Sequence, residues 1–289
     1  MIWLVGNQGM LGAEMSNVFS SQKIDFVGTD ADVDITRHDE VSKFVEGQNF
    51  SHIVNCAAYT NVDKAESEYE LAWKINALGV KNLALFAQKM GSVLVHFSTD
   101  YVFDGRSTQP YQETDMPNPV SAYGKSKLEG ERFVSAACER CYIFRISWLY
   151  GAHRSNFVKT MLRLFSERDV VSVVCDQRGA PTWTYELAVH MARLVQDDPE
   201  KFGIYHYSDD GNISWFDFAC KIRDLAQKHG SLDKKVTIEP IPSENYPTPA
   251  VRPRFSIFDR KKIREELGIH PNPWEENLEK CIESIFLRT

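Results

Sequence analysis

The sequence predicts an α/β protein built on a doubly wound parallel sheet, with a smaller C-terminal lobe interleaved with it. Three observations lead to this prediction. Short apolar runs alternate with amphipathic helical patterns through the first half of the chain, which is typical of parallel strands covered by helices on both faces. A glycine-rich turn follows the first apolar run. After about residue 150 the alternation loosens and prolines accumulate.

The strands and helices of the first half follow in strict alternation. The predicted strands are "MIWLVG", "DFVGTD", "SHIVNCAA", "SVLVHFS" and "CYIFRIS". The predicted helices between them are "GAEMSNVFSSQ", "HDEVSKFVEG", "ESEYELAWKINALGVKNLALFAQKM" and "SAYGKSKLEGERFVSAA". Because a helix separates each pair of strands, the strands can run parallel, and a ligand is expected at their carboxyl ends. Two further helices, "NFVKTMLRLFSER" and "SWFDFACKIRDLAQKHG", are predicted in the second half.

Composition excludes several classes of partner. The chain of 289 residues is 43% hydrophobic and 25% charged, and its net charge of −7 offers no basic field for nucleic acid or an anionic membrane surface. No apolar run approaches the roughly 20 residues of a membrane span. The first residues show neither a basic region nor a cleavage site. We therefore expect a cytoplasmic protein with no nucleic-acid or membrane partner.

The six cysteines are scattered along the chain. The segment "CERC" at 138–141 has metal-type spacing, but no second Cys/His pair follows at the distance of a zinc ligand set. We expect reduced thiols there and no zinc site.

The turn "VGNQGMLG" places Gly6, Gly9 and Gly12 directly after a predicted strand and at the start of a helix. A pyrophosphate needs close approach to the backbone, and a helix N-terminus supplies N–H donors and positive dipole. The spacing is GxxGxxG, and the strand–turn–helix context predicts a Rossmann-like dinucleotide site. A glycine turn without a ligand is the alternative. The other predicted cofactor contacts in the turn are Gln8, Met10 and Leu11.

Acidic and small residues at the next strand ends extend this prediction. Asp30 closes the second strand, where a carboxylate can accept from the adenosine ribose and repel a 2′-phosphate. This favours NADH over NADPH, while a solvent-facing aspartate is the alternative. Further cofactor contacts are predicted at Asp34, Ile35, Ala57, Ala58 and Tyr59.

These patterns divide the chain into two parts. Residues 1–150 are predicted to form the dinucleotide-binding Rossmann domain, with part of 176–200 added back to it. Residues 151–289 are predicted to form mainly a substrate-binding lobe.

The segment "SAYGKSK" places Tyr123 and Lys127 four residues apart, on one helical face. A phenol with an ordinary pKa near ~10 is a poor acid or base at neutral pH. A neighbouring ammonium is expected to lower that pKa, and Lys127 can also hold the nicotinamide ribose, so both residues are catalytic and cofactor-binding candidates. Thr99 ends a strand, where its hydroxyl would orient a substrate carbonyl. A chance YxxxK on an amphipathic helix is the alternative.

At these residues the chain resembles the extended short-chain dehydrogenase/reductases and, among them, the dTDP-4-dehydrorhamnose reductase family. The resemblance extends over nearly the whole chain, through "VGNQGMLG", "NCAAYTNVDKAESE", "HFSTDYVFDG", "YQETD", "YGKSKLEGE", "FRISWLYG", "NFVKTMLRL", "DQRGAPT" and "YPTPAVRP". It implies NAD(P)H-dependent reduction of the C4 keto group of dTDP-4-dehydro-L-rhamnose, in nucleotide-sugar and polysaccharide biosynthesis. Tyr123 would be the proton donor, Lys127 its electrostatic partner and Thr99 the hydroxyl that orients the sugar.

The resemblance also implies a substrate pocket. Asp100, Tyr101 and Trp148 would line the sugar site. Arg252, in "PAVRPRF", is a candidate for the substrate diphosphate because a guanidinium suits that group. A surface arginine in a proline-rich loop is the alternative.

Some members of the family hold magnesium at a dimer contact through glutamates, and Glu14 lies where one of these would be. The other glutamates cannot be placed in register, so we predict no metal and keep Glu14 only as a candidate. An exposed first-turn glutamate is the alternative. A monomer or a homodimer is expected.

Other functions on the same fold remain to be compared. A dehydratase of this type would carry Glu after "STD", where this chain has Tyr101, so dehydration is disfavoured. A reductase or epimerase of another 4-keto-6-deoxy nucleotide sugar, and a non-catalytic dinucleotide-binding regulatory subunit, stay open. The sequence does not decide the exact sugar, the nucleotide base or NADH against NADPH.

Overall fold

The structure, a computed structural model, describes residues 1–287 and is built around a six-stranded sheet in which all strands are parallel. In chain order the strands are β1 (Ile2–Val5), β2 (Phe26–Thr29), β3 (His52–Asn55), β4 (Val93–Thr99), β5 (Cys141–Ile146), β6 (Leu149–Tyr150), β7 (Val170–Val174), β8 (Arg178–Gly179), β9 (Thr182–Trp183), β10 (Gly203–Tyr207), β11 (Ile213–Ser214) and β12 (Thr237–Ile241). The helices are α1 (Met10–Ser21), α2 (His38–Val45), α3 (Tyr69–Trp73), α4 (Val80–Met90), α5 (Ala122–Ala137), α6 (Phe157–Glu167), α7 (Thr184–Asp197), α8 (Trp215–Lys228), α9 (Lys261–Leu267) and α10 (Trp274–Phe286).

The strand order of the large sheet is β2-β1-β3-β4-β5-β10. The chain leaves β1 for β2 on one side and returns to β3 on the other. This reversal opens a crevice at the carboxyl ends of β1 and β3, the place where doubly wound sheets bind ligands. The predicted fold class is confirmed.

Helices cover both faces of the sheet because alternate residues of each strand point to opposite sides. Helices α1 and α7 pack on the face that carries Leu4 and Val95. Helices α2, α4 and α5 pack on the face that carries Trp3 and Ile53. Both faces are therefore buried, which explains why the strands are continuous apolar runs.

The second half of the chain contributes to both parts of the molecule. Helix α7 packs on α1, and β10 extends the sheet by pairing with β5. Helix α9 packs against β10 in the same core. A second apolar core is formed by α6, α8 and α10, which surround the β7–β12 pair. Strand β10 was not predicted, because its sequence "GIYHY" lies outside the regular alternation of the first half.

The long helix predicted before β4 is real but irregular. It begins at Tyr69, and its middle, Lys74–Gly79, is π-helical and joins α3 to α4. The π segment turns Asn76 into the core, where its side chain bonds to Ser126 Oγ on α5 at 3.0 Å and to the main chain of Tyr59. Within residues 1–287 no helix is both long and apolar enough to cross a membrane.

Candidate active site

A cleft of about 1150 Å³ lies at the carboxyl ends of the central strands, between the sheet and the C-terminal lobe. It is larger than the roughly 300–1,000 Å³ of most small-molecule sites, so it can take two ligands side by side. Most of the predicted site residues line it: Gly6, Gln8, Gly9, Met10, Leu11, Asp30, Asp34, Ile35, Ala57, Ala58, Thr99, Asp100, Tyr101, Tyr123, Lys127, Trp148 and Arg252. Gly12 and Tyr59 are not among the residues that line it.

The glycine turn is packed too closely for side chains. Gly6 has φ +74°, and a Cβ there would lie 2.5 Å from the main-chain nitrogen of Ala57 at the end of β3. A Cβ on Gly12 would lie 2.1 Å from the carbonyl oxygen of Gly6, so Gly12 allows α1 to pack on the turn. No side chain caps the start of α1 at Gly9. Gly9, Met10 and Leu11 line the cleft, so the uncapped start of this helix offers an anion site there.

Asp30 braces the same turn. Its carboxylate accepts hydrogen bonds from the main-chain N–H of Gln8 at 3.1 Å and of Ala31 at 2.9 Å. It also lines the cleft. Acceptance of a hydrogen bond from a ribose hydroxyl stays a prediction. Tyr59 points elsewhere, because its hydroxyl donates to Glu68 at 2.6 Å.

The three predicted catalytic residues come together at the end of β4. Thr99 Oγ1 donates to Asp100 Oδ1 at 3.0 Å and accepts from the N–H of Tyr101 at 3.2 Å. Tyr123, in the first turn of α5, is hydrogen-bonded to the Thr99 side chain. Lys127 lies one turn further along α5, buried, with Nζ donating to the carbonyl oxygen of Phe97 at 2.6 Å. Ser121 fixes the start of α5 by accepting from the N–H of Gly124.

The expected effect of Lys127 on Tyr123 is wrong for this structure. Burial raises the pKa of Tyr123 above its ordinary value, and the hydrogen bond with Thr99 opposes that shift only in part. The ammonium of Lys127 is directed at Phe97 instead. Burial lowers the pKa of Lys127 to about 8, against the opposing charge of Glu131. Tyr123 is therefore a neutral phenol at neutral pH, the form that can donate a proton.

Two buried charged residues that the sequence analysis did not identify support this face of α5. Glu131 and Arg145 form a salt bridge with an Nη2–Oε2 distance of 2.7 Å, and each side chain is at most 3% exposed. Ser98, next to Thr99, donates to Glu131. This pair joins α5 to β4 and β5, so it fixes where Tyr123 and Lys127 stand.

The predicted sugar-site residues lie next to Thr99 and Tyr123. Burial raises the pKa of Asp100 from 3.8 to about 6, although hydrogen bonds with Ser256 and Thr99 oppose the shift. Tyr101 packs edge-on against Tyr123, with ring centroids 5.6 Å apart.

Trp148 lines the opposite wall in an unusual conformation. Its φ is +47°, which is uncommon for a bulky residue. Its ring stacks on Trp215, with centroids 3.6 Å apart and planes 9° from parallel, and Trp215 also lines the cleft. The sequence analysis placed Trp215 in a helix without assigning it to the site.

Arg252 is tied into the cleft rather than free on the surface. Its Nη2 forms a salt bridge with Asp63 Oδ2 at 2.8 Å, and its Nη1 donates to the Tyr101 hydroxyl at 3.4 Å. Asp63 also accepts from the N–H of Ala250 at 3.3 Å. The sequence analysis did not single out Asp63, although it lies in the quoted segment "NVDKAESE".

Glu14 is buried, with 3% of its surface exposed, so the exposed-glutamate alternative does not hold. Its carboxylate lies 3.7 Å from Nε2 of His153. Within residues 1–287 the only group of three close metal-type ligands is His229, Glu279 and Glu283, far along the chain from Glu14. Absence of a metal stays a prediction.

A tyrosine and a lysine one helical turn apart, beside a strand-end threonine and facing a glycine turn, are the arrangement of the extended short-chain dehydrogenase/reductases. A family model described as the RmlD substrate binding domain matches residues 1–286. The chain is 38% identical over 281 residues to dTDP-4-dehydrorhamnose reductase of Aggregatibacter actinomycetemcomitans, covering 95% of this chain and 96% of that protein. It is 36% identical over 295 residues to the Escherichia coli K12 enzyme of that name, covering 100% and 99%. The chain belongs to the dTDP-4-dehydrorhamnose reductase family.

Solved structures agree with this assignment. A dTDP-4-dehydrorhamnose reductase from Clostridium acetobutylicum superposes with a TM-score of 0.92 at 40% identity, covering 100% of this chain and 99% of that one. The Bacillus anthracis enzyme in complex with NADP superposes with a TM-score of 0.91 at 39% identity, with the same coverage. A UDP-glucose 4-epimerase from Thermus thermophilus is only 17% identical, at a TM-score of 0.83 over 99% of this chain and 98% of that one, and shows the fold alone.

Proposed function

We propose that this protein reduces the C4 keto group of dTDP-4-dehydro-L-rhamnose to give dTDP-L-rhamnose, with NADPH or NADH as the reductant. The observation that carries the proposal is the Thr99–Tyr123–Lys127 group inside a cleft large enough for two ligands. Family membership names the substrate, and the Bacillus anthracis relative is in complex with NADP. We further propose that the enzyme is cytoplasmic and acts as a monomer or homodimer.

The residues present fit a dinucleotide. The glycine turn leaves no room for side chains between β1 and α1, and the uncapped N-terminus of α1 offers N–H donors to a pyrophosphate. Asp30, at the end of β2, suits a ribose hydroxyl. Its implied preference for NADH stays a prediction. The nicotinamide, when bound, supplies the hydride.

The chain's own residues supply orientation and the proton. The Thr99 hydroxyl, which donates to Asp100 in this structure, would turn its single donor to the carbonyl oxygen when substrate binds. Tyr123 would transfer its phenolic proton to that oxygen as the C4–H bond forms. The raised pKa of Tyr123 keeps it protonated at neutral pH until the oxygen becomes basic. Lys127, with a pKa of about 8, is mostly charged at neutral pH and would hold the nicotinamide ribose.

The test is oxidation of NADH and NADPH by the purified protein with dTDP-4-dehydro-L-rhamnose. Tyr123→Phe should lower kcat by about 10²–10⁴-fold while dinucleotide affinity stays within about twofold. Tyr185→Phe is the matched control, because Tyr185 is 46% exposed and does not line the cleft. A Tyr123→Phe enzyme with wild-type turnover would contradict the assigned role. Dinucleotide binding without any turnover would favour the regulatory-subunit alternative.

A further inference from the structure

Few cationic side chains line the described part of the cleft, and two of them bond to groups away from the glycine turn. Within the described part of the chain, the lysines and arginines that line the cleft are Lys127, Arg154 and Arg252. Lys127 donates to a main-chain carbonyl beside the catalytic group, and Arg252 is paired with Asp63. Arg154 is the one that contacts the glycine turn.

Arg154 is bonded to the turn through one of its donors. Its Nε–H donates to the carbonyl oxygen of Gln8 at 2.9 Å. The N–H of the same Gln8 donates to Asp30 at 3.1 Å, so Gln8 lies between a guanidinium and the ribose-site carboxylate. Arg154 is exposed, and the structure gives its Nη groups no hydrogen bond or ion pair within residues 1–287. These groups remain available to an anion at the turn.

The backbone holds Arg154 there at a conformational cost. Its φ is +55°, in the left-handed region that non-glycine residues seldom adopt. The neighbouring residues anchor the loop: His153 lies 3.1 Å from the side-chain nitrogen of Asn17 on α1, and Asn156 donates to the carbonyl oxygen of Gly151 at 2.8 Å. A strained residue persists where its surroundings fix it, which is common at ligand sites.

The negative charges at the cleft favour a role for Arg154 in binding an anionic ligand. Four carboxylates line the cleft, at Asp30, Asp34, Asp63 and Asp100, in a protein of net charge −7. A dinucleotide adds two negative charges at its pyrophosphate, and the dipole of α1 offers only about half a charge. We infer that the guanidinium of Arg154 binds a phosphate group of the dinucleotide, so that the loop between β6 and α6 closes on the cofactor. The inference rests on the proposed function.

Two kinds of phosphate group in a dinucleotide suit a guanidinium at this site. The pyrophosphate belongs to both dinucleotides, whereas the 2′-phosphate belongs only to NADPH and would approach from the Asp30 side. A guanidinium binds either through paired N–H donors. Affinity measurements with both dinucleotides separate them.

The experiment is fluorescence titration of NADH and NADPH against the purified protein and two variants. Arg154→Gly removes the guanidinium and suits φ +55°, so the variant should fold; thermal unfolding without dinucleotide checks this. We expect its Kd to rise about tenfold to hundredfold, as for loss of a charged hydrogen bond. Arg154→Lys should recover part of the affinity. Arg193→Gln removes the same charge from an exposed position on α7 and should leave Kd unchanged.

The outcomes are distinct. Equal loss for both dinucleotides assigns Arg154 to the pyrophosphate, and loss for NADPH alone assigns it to the 2′-phosphate. In either case the wild-type Kd should rise with salt more steeply than that of Arg154→Gly. Unchanged affinity for both in a folded Arg154→Gly protein would overturn the inference and leave the proposed function standing. A wild-type protein that binds neither dinucleotide would overturn both.

Discussion

Arg252 and Asp63 form a salt bridge at the mouth of the cleft, with Nη2 of the arginine 2.8 Å from Oδ2 of the aspartate. Asp63 follows β3, and Arg252 lies 189 residues later, within the proline-rich segment of the C-terminal part. Both side chains are about one-third exposed. The pair fixes the guanidinium next to Tyr101 and links the two sides of the cleft.

Loosening this pair should affect the sugar nucleotide more than the dinucleotide. Asp63→Asn keeps the shape of the side chain but removes its charge, and Arg252→Lys loses the planar fork that contacts two partners. We expect each change to raise KM for the sugar nucleotide by about tenfold with a smaller effect on kcat. Steady-state kinetics with each substrate varied in turn would measure this. An unchanged KM in both variants would remove Arg252 from the substrate site.

Lys127 should be destabilising when charged. Its pKa is about 8 in the folded protein against 10.5 ordinarily, so between these values the unfolded chain holds more protons and stability rises with pH. The cost, about 3 kcal/mol, is fully present below pH 8. Lys127→Met should therefore raise the free energy of unfolding at neutral pH by about 2 kcal/mol, after loss of the bond to Phe97, while turnover falls.

Urea unfolding of wild type and Lys127→Met, at neutral pH and near the ordinary lysine pKa, tests this. The advantage of the variant should shrink as the pH rises. A variant that is less stable than wild type throughout would show that the ammonium contributes net stability.

The contribution of Asp100 to stability should change with pH in the opposite direction to that of Lys127. Its pKa is raised from 3.8 to about 6, so the buried carboxylate costs stability above pH 6 and that cost disappears below about pH 4. Asp100→Asn should be more stable than wild type at neutral pH by about 2–3 kcal/mol, with weaker binding of the sugar nucleotide. Thermal or urea unfolding across this range would show the difference closing as the pH falls.

Asp104 provides a control, because the pKa of its carboxyl is shifted in the opposite direction to that of Asp100. Burial alone would raise its pKa, but hydrogen bonds from Arg106, Asn118 and Tyr111 outweigh burial and lower it. Asp104→Asn should therefore lose stability at neutral pH and lose less in acid. Parallel behaviour of the two variants would contradict the environment described for Asp100.

Two glycines of the turn should respond differently to alanine. A Cβ on Gly12 meets the carbonyl oxygen of Gly6 at 2.1 Å, whereas one on Gly9 meets the same atom at 3.3 Å. We expect Gly12→Ala to lower the free energy of unfolding by about 3 kcal/mol, through displacement of α1. Gly9→Ala should change stability by less than about 1 kcal/mol but weaken dinucleotide binding. Urea unfolding and titration would separate the two effects, and equal stability of both variants would contradict this packing.

Some features of the fold and site could be predicted because their signals are local. Strand-length apolar runs, helical periodicity and a glycine triplet between them define the sheet and its cofactor turn. Tyr123 and Lys127 are four residues apart on one helix, so their common face follows from helix geometry. Strand β10 and the π segment at Lys74–Gly79 were missed because pairing with β5 and packing against α5 create them.

By itself, the sequence determined the sheet class, the glycine turn and the common helical face of Tyr123 and Lys127, since each depends on residues near one another in the chain. The tertiary structure decided the long-range contacts and the pKa values of those residues. Contacts between distant segments join Arg252 to Asp63 and Arg154 to Gln8, which are 189 and 146 residues apart. Burial, rather than the neighbouring lysine, sets the pKa of Tyr123. Desolvation and long-range pairing depend on the whole packed molecule, and no local pattern records them.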